Sequence, residues 1–208
     1  MRRVTCLGGS DGIHLHCTEG ALIEDCLMET GDDCVAGLNI RDLTVRRCVL
    51  NSSCNPFRIG GIGILVEDTY VWGPGFYPHR RTVVKGKGEE LPRTEGRHNT
   101  LSFVEYFTSP AYPFPPSDVT IRRCVIENVA CLLSYQADSS ILQRGTYLGT
   151  FTLEDVTVRG LEKVTVPRAT AEVPLTIRMK RTSVEFSDGS RGCPFETPEG
   201  AYVRLLCE

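Results

Sequence analysis

Six segments of this chain share one pattern: "ALIEDC" from Ala21, "LTVRRC" from Leu43, "ILVEDT" from Ile64, "VTIRRC" from Val119, "FTLEDV" from Phe151 and "LTIRMK" from Leu175. The first three starts lie 22 and 21 residues apart, the fourth follows after 55, and the last gaps are 32 and 24. Apolar and polar residues alternate within each segment, which is the period of a strand with one buried face. No helical pattern stands between them. Short strands at a near-constant spacing fit a solenoid better than a β-sandwich, since a sandwich needs no fixed period. In such a stack each strand lies about 4.8 Å from its equivalent in the next coil, and like positions form columns. Cys26, Cys48 and Cys124 then occupy one buried column, with Thr69 taking the third coil.

The column holds three of the ten cysteines. No Cys-x-x-Cys pair occurs, so they read as small buried hydrophobes in a reducing compartment, with a zinc site as the alternative. The whole chain, 1–208, reads as one domain. Residues 72–118 interrupt the repeat with "WGPGFYPHRR" and "TSPAYPFPPSD", two loops around one strand in "NTLSFVEYF". Insertions in a solenoid gather on one face, often the binding face. Between His79 and His98 stand six Lys or Arg and three Glu, a local charge of +3 that suits an anionic ligand as well as it suits a solvated loop. Residues 175–208 alternate well and carry an Asp-Gly turn, so a hairpin cap closing the stack is expected there. No cap precedes Asp11, and self-association through the uncapped N-terminal coil is expected.

The same register collects acids. Asp11 lies ten residues before Ala21, Asp33 ten before Leu43 and Cys54 ten before Ile64, with Asp32 beside the middle position. Carboxylates stacked at rung spacing repel unless they are hydrated, protonated or used. Paired carboxylates suit glycoside hydrolysis, in which one donates a proton to the leaving oxygen and another activates water; an inverting pair stands roughly 6.5–9.5 Å apart.

"SDG" followed 21 residues later by "GDDC", in a β repeat with "IEDC" between, resembles glycoside hydrolase family 28, the polygalacturonases and their relatives. The resemblance covers residues 1–70. It implies a right-handed parallel β-helix, the pectin-lyase-like solenoid, acting on a pectin-like polysaccharide or oligosaccharide with inversion and without metal or cofactor. By the same resemblance Asp32 is the general acid, while Asp11 and Asp33 hold the attacking water. Ser10 replaces the family's Thr, and neither its Gly-His-Gly nor its Arg-Ile-Lys triplet is present. "CNPFRIGG" offers Cys54 or Asn55 where the His would stand. Arg58, or His79, Arg80 and Arg81 from the inserted loop, are the candidates to bind substrate. A non-catalytic carbohydrate-binding or structural β-helix is the alternative function.

Other features carry plainer readings. His14 and His16 share the outward face of one strand, as ordinary solvent-facing polar residues do. Cys54 reads as a structural thiol, since no base stands near it in sequence. Trp72, Phe76 and Tyr77 serve to anchor the loop or to stack on sugar rings. With 23 Lys or Arg against 26 Asp or Glu, the net charge of −3 gives no nucleic-acid signature. No apolar run has the length of a membrane span. "MRRVTCLGGSDG" has no apolar stretch after its arginines. A cytoplasmic protein is therefore expected for the sequence as it stands, and a secreted one if an N-terminal portion is missing.

Overall fold

The computed structural model describes residues 1–79, 100–106, 115–137 and 147–208. These contain seventeen strands and no helix. The strands form three stacks, parallel throughout. The first holds β2 (Ile13–His16), the leading half of β5 (Val35–Arg46), the leading half of β7 (Phe57–Glu67), β9 (Val104–Tyr106) and β12 (Leu133–Ser134). The second holds β3 (Leu22–Glu24), the trailing halves of β5 and β7, then β10 (Ser117–Arg122), β13 (Leu148–Glu154), β15 (Leu175–Lys180) and β17 (Val203–Cys207). The third holds β1 (Thr5–Gly8), β4 (Leu27–Thr30), β6 (Val49–Ser52), β8 (Tyr70–Trp72), β11 (Val125–Glu127), β14 (Thr157–Leu161) and β16 (Ser183–Phe186). The chain visits the stacks in turn, so each circuit adds a strand to its predecessor. The architecture is all-β with parallel sheets, an arrangement compatible with a β-helix.

Alternation along the strands supplies the core. Leu43, Ile64, Val119, Phe151 and Ile177 follow one another in register and are all buried, as are Ile23, Val45, Val66, Ile121 and Leu153 in the neighbouring column. Each such side chain contributes about 1.5–3 kcal/mol through burial. Phe57 and Phe103 meet edge to face at 5.5 Å, and Tyr106 and Tyr135 at 5.8 Å.

The corner between the second and third stacks carries a charge ladder. Successive coils present Arg2-Arg3, Glu24-Asp25, Arg46-Arg47, Glu67-Asp68, Arg122-Arg123, Glu154-Asp155 and Lys180-Arg181, so the sign alternates from rung to rung. Arg47 reaches Asp25 at 2.7 Å and Glu24 at 2.8 Å, and Arg123 reaches Asp68 and Glu67 at the same two distances. Arg181 repeats the fork on Asp155 at 2.5 Å and Glu154 at 3.0 Å. The second residue of each pair, from Arg3 to Arg181, has φ between 47° and 56°. That left-handed turn costs a side-chain-bearing residue roughly 1–2 kcal/mol, and the ion-pair forks help to offset it. The next residue turns inward and donates to the carbonyl two residues back: Cys26 to Glu24, Cys48 to Arg46, Thr69 to Glu67, Cys124 to Arg122. The cysteine column is therefore buried as expected, and all ten cysteines are free thiols.

Two expectations change. Residues 175–208 do not fold back as a hairpin cap. β16 and β17 pair parallel with β14 and β15 and extend both stacks. Around the Asp188-Gly189 turn the antiparallel contact is the isolated bridge Glu185–Arg191. The second change is a one-residue register shift in the β5–β7 pairing between Gly37 and Ile40, where β5 carries an extra residue and Asn39 adopts φ 55°. Counting back ten from Ile64 crosses this bulge. The residue beside Asp33 in the next coil is therefore Asn55, and Cys54 falls beside Asp32.

Two outcomes follow from the corner. Under native conditions a thiol reagent should label Cys17, Cys193 and Cys207 quickly and leave Cys26, Cys48 and Cys124 untouched until denaturant is added; rapid native labelling of the latter three would refute the buried column. The ladder also makes stability depend on acid. Hydrogen bonds from Arg46 and Arg47 hold the Glu24 and Asp25 carboxyls below their ordinary values, as those from Arg122 and Arg123 do for Glu67 and Asp68, and those from Lys180 and Arg181 for Glu154 and Asp155. A depressed folded pKa contributes stability that is fully present above the unfolded values of about 3.9 to 4.3 and is lost as pH falls through the folded ones. Melting followed by circular dichroism should show Tm dropping below about pH 4.5, and by less in about 0.5 M salt, which screens these half-exposed pairs. A Tm flat through that window would refute the ladder's contribution.

Candidate active site

The acid cluster forms where the chain passes from the third stack back to the first. Gly31, Asp32 and Asp33 make this passage between β4 and β5. Thr30 and Ser52 hydroxyls both donate to the Asp32 carbonyl, at 2.7 and 2.6 Å, and hold the turn. The Asp33 amide donates to Asp11 Oδ1 at 3.3 Å across the rung. Asp11, Asp32 and Asp33 each place a carboxylate oxygen within 4.8 Å of the others. The expected convergence of the three acids is therefore met, but their nearest oxygens stand closer than the roughly 6.5–9.5 Å of an inverting pair.

The column continues with neutral residues. Asn55 Nδ2 donates to Asp33 Oδ1 at 2.9 Å and reaches Glu105 Oε2 at 3.1 Å, and the Ser102 hydroxyl donates to Asn55 Oδ1 at 2.7 Å. Arg58 Nε lies 3.4 Å from Glu105 Oε2. Arg58, expected at the site, thus joins it through Glu105 and Asn55. Asn55 is one of the two residues that "CNPFRIGG" offers here, by the Ile-Gly that follows it, whereas for Ser102 and Glu105 only the register of "SFVEYF" could have given the signal.

His79 arrives from outside the stacks. The loop after β8 is fastened by Asn51, whose Nδ2 donates to the Trp72 and Pro74 carbonyls at 2.9 and 3.0 Å and whose Oδ1 accepts from the Phe76 amide at 2.6 Å. The Ser53 hydroxyl donates to the Tyr77 carbonyl at 2.6 Å. The loop then crosses Gly31 so closely that a Cβ there would stand 2.1 Å from the Pro78 oxygen. This seats His79 Nε2 3.4 Å from Asp32 Oδ1. Phe76 remains half-exposed against Tyr77, with ring centroids 5.3 Å apart. Arg80 and Arg81 lie outside the described residues.

His14 and His16 share a face, with rings 4.3 Å apart, and His14 Nδ1 is 3.8 Å from Asp11 Oδ2. A cleft of about 510 Å³ lined by Leu7, Gly8, Ser10, Asp11 and Thr30 opens beside Asp11. Among the described residues no helix is long and apolar enough to cross a membrane.

Electrostatics single out Asp33. Burial pushes its carboxyl up to about 6; the hydrogen bond from Asn55 opposes this, and the charges of Asp32 and Asp11 reinforce it. Burial, followed by the charges of Asp33 and Asp32, pushes the Cys54 thiol far above its ordinary value. That direction is the one of a structural thiol. Comparison of the chain with models of known protein families, with curated proteins and with solved structures finds no match.

Asp33→Asn tests the electrostatics directly. A carboxyl whose folded pKa is raised carries a charging penalty above about pH 6, which is relieved as pH falls toward its unfolded value near 3.9. The variant keeps an oxygen to accept from Asn55. It should be more stable than the parent at about pH 8, by up to about 3 kcal/mol, and the difference should close near pH 4. Urea unfolding at both pH values measures this, and a pH-independent difference would rule out the raised carboxyl.

Proposed function

We propose that the chain is a right-handed parallel β-helix and a glycoside hydrolase acting on a pectin-like, galacturonate-containing polysaccharide. The observation that carries this reading is the convergence of Asp11, Asp32 and Asp33 within 4.8 Å, with His79 at 3.4 Å from Asp32. Asp32 is the general acid: it protonates the leaving glycosidic oxygen, and His79 orients its carboxyl. Asp11 and Asp33, stacked across one rung, hold a water and accept its proton as it attacks the anomeric carbon. Arg58, with Arg80 and Arg81 after His79, binds the substrate's carboxylates. No step calls for a metal. The family resemblance implies inversion, whereas carboxylate oxygens within 4.8 Å of one another are nearer the roughly 5–5.5 Å of a retaining pair, so the anomeric configuration of the product decides whether Asp11 and Asp33 hold the attacking water, and retention would overturn that role.

A second reading has one observation in its favour. Asp33 is only 1% exposed and Asn55 caps it, which also fits a carbohydrate-binding or structural β-helix without turnover.

Reducing-sugar release from polygalacturonate, rhamnogalacturonan and neutral glycans separates the two. The hydrolase releases sugar from a galacturonate-containing polymer, and Asp32→Asn lowers the rate by about 10²–10⁴ with folding retained. Asp11→Asn and Asp33→Asn also lower it by orders of magnitude. Asp33 must be ionised to accept a proton, so activity should fall as pH drops through about 6. Hydrolysis that survives Asp32→Asn sinks the catalytic assignment. A parent chain without turnover, whose variants change ligand affinity weakly and additively, establishes the binding module.

A further inference from the structure

The β5 bulge has a chemical result beyond the acid pair. It brings Cys54, not Ser53, beside Asp32, and the fastened loop adds His79. One carboxylate oxygen, one sulfur and one imidazole nitrogen from three separate segments lie within 4.8 Å of one another. A Cys-His-Asp relay would use both ring nitrogens, one toward the thiol and one toward the carboxylate. A shared cation needs one His79 ring nitrogen near both partners, and one lies within 4.8 Å of the Cys54 sulfur and of an Asp32 oxygen. Donors that converge on one point are arranged to share a cation.

The donor set also says which cation. Magnesium and calcium select oxygen ligands, whereas a sulfur, a nitrogen and an oxygen together suit zinc and its neighbours. Donors 2.0–2.3 Å from a tetrahedral zinc stand roughly 3.4–3.6 Å from each other. The Asp32–His79 edge, at 3.4 Å, already has that length. The sulfur edges, each at most 4.8 Å, need to close by up to about 1.3 Å. Asn55 Nδ2 lies 3.3 Å from Cys54 Sγ while it holds Asp33, the kind of outer hydrogen bond that orients a ligand atom. Asp11 and Asp33 add negative charge behind Asp32. Three protein ligands leave the fourth position for water.

The geometry points to a binding site for a zinc-class divalent ion at Asp32, Cys54 and His79, at which the bound ion takes the Asp32 carboxylate and switches off its proton donation. On binding, Cys54 forms a metal–sulfur bond and its proton passes to solvent; nothing is oxidised or reduced. The site itself is independent of the hydrolase reading, and only the switching rests on it. Metal here is an occupant that competes with the acid's proton, in contrast to the metal-free chemistry of the reaction.

The test uses the full chain with Cys17, Cys193 and Cys207 changed to Ser, reduced and stripped with EDTA. Calorimetric titration with zinc chloride should show one equivalent bound, with proton release, and no displacement by magnesium or calcium. Cobalt chloride should give a thiolate-to-cobalt charge-transfer band. Cys54→Ser and His79→Gln, folded by circular dichroism, should each bind zinc at least about tenfold more weakly, and Cys54→Ser should lose the band. Absence of stoichiometric binding, or binding and a band unchanged in Cys54→Ser, overturns the site. Where the chain hydrolyses its polymer, zinc should suppress turnover, EDTA should restore it, and Cys54→Ser should retain turnover and resist zinc. Binding without suppression overturns the switch. A chain that binds zinc but never hydrolyses refutes the hydrolase reading and the switch with it, while the binding data uphold the site.

Discussion

Parallel strands stacked one rung apart put every residue beside its equivalent in the next coil, about 4.8 Å away, and the rest of the molecule answers to that spacing. For apolar residues it is an advantage, because Leu43, Ile64, Val119, Phe151 and Ile177 bury one another without any long-range search. For charged residues it is a hazard, since a conserved position in the repeat would stack like on like. The corner ladder avoids this by alternating acid pairs with basic pairs from Arg2-Arg3 to Lys180-Arg181. The alternation also specifies register: a slip of one whole coil would set Glu67-Asp68 against Glu24-Asp25, acid on acid, in place of the Arg46-Arg47 pair that each now faces.

The acid cluster is where the chain departs from that rule. Asp11 and Asp33 meet in one column with no cation between them, and Asp32 stands beside them. The next positions, Asn55 and Ser102, are neutral and turn their hydrogen bonds toward the cluster, so the repulsion is confined to two rungs. Burial first, and then the charges of Asp32 and Asp11, raise the Asp33 carboxyl above its ordinary range. Consistent local choices elsewhere make this one conflict the natural place to look for function.

How much of this was legible in the sequence can be told residue by residue. The strands and the meeting of Asp11, Asp32 and Asp33 follow from spacing alone, because the offset of 22 holds throughout between the first two coils and, between the second and third, as far as Gly37. The Asn55–Cys54 ambiguity did not resolve, because one left-handed residue, Asn39, shifts the count and a bulge has no dedicated side-chain pattern. The charge alternation stood in the same six segments, but a single strand's alternation reads only as polar outside, and sign matters only once neighbours are stacked. The Asp-Gly turn at 188–189 suggested a hairpin, yet the strands on either side had partners waiting in the coil below, and parallel pairing with them prevailed.

The position of His79 shows a different limit. Nothing in "FYPHRR" says which way the histidine faces. Its placement depends on Asn51 and Ser53, two residues that look like ordinary strand-end polar groups, and on Gly31, whose missing Cβ lets the Pro78 carbonyl pass. All three lie on coils that precede the loop, and Gly31 is adjacent to Asp32 itself. The residue that admits the loop and the residue that meets its histidine are therefore neighbours in the chain. The same turn thus fixes both the acid and its partner, and Gly31→Ala, whose Cβ would stand 2.1 Å from the Pro78 oxygen, would displace the loop that carries His79 without touching a charge.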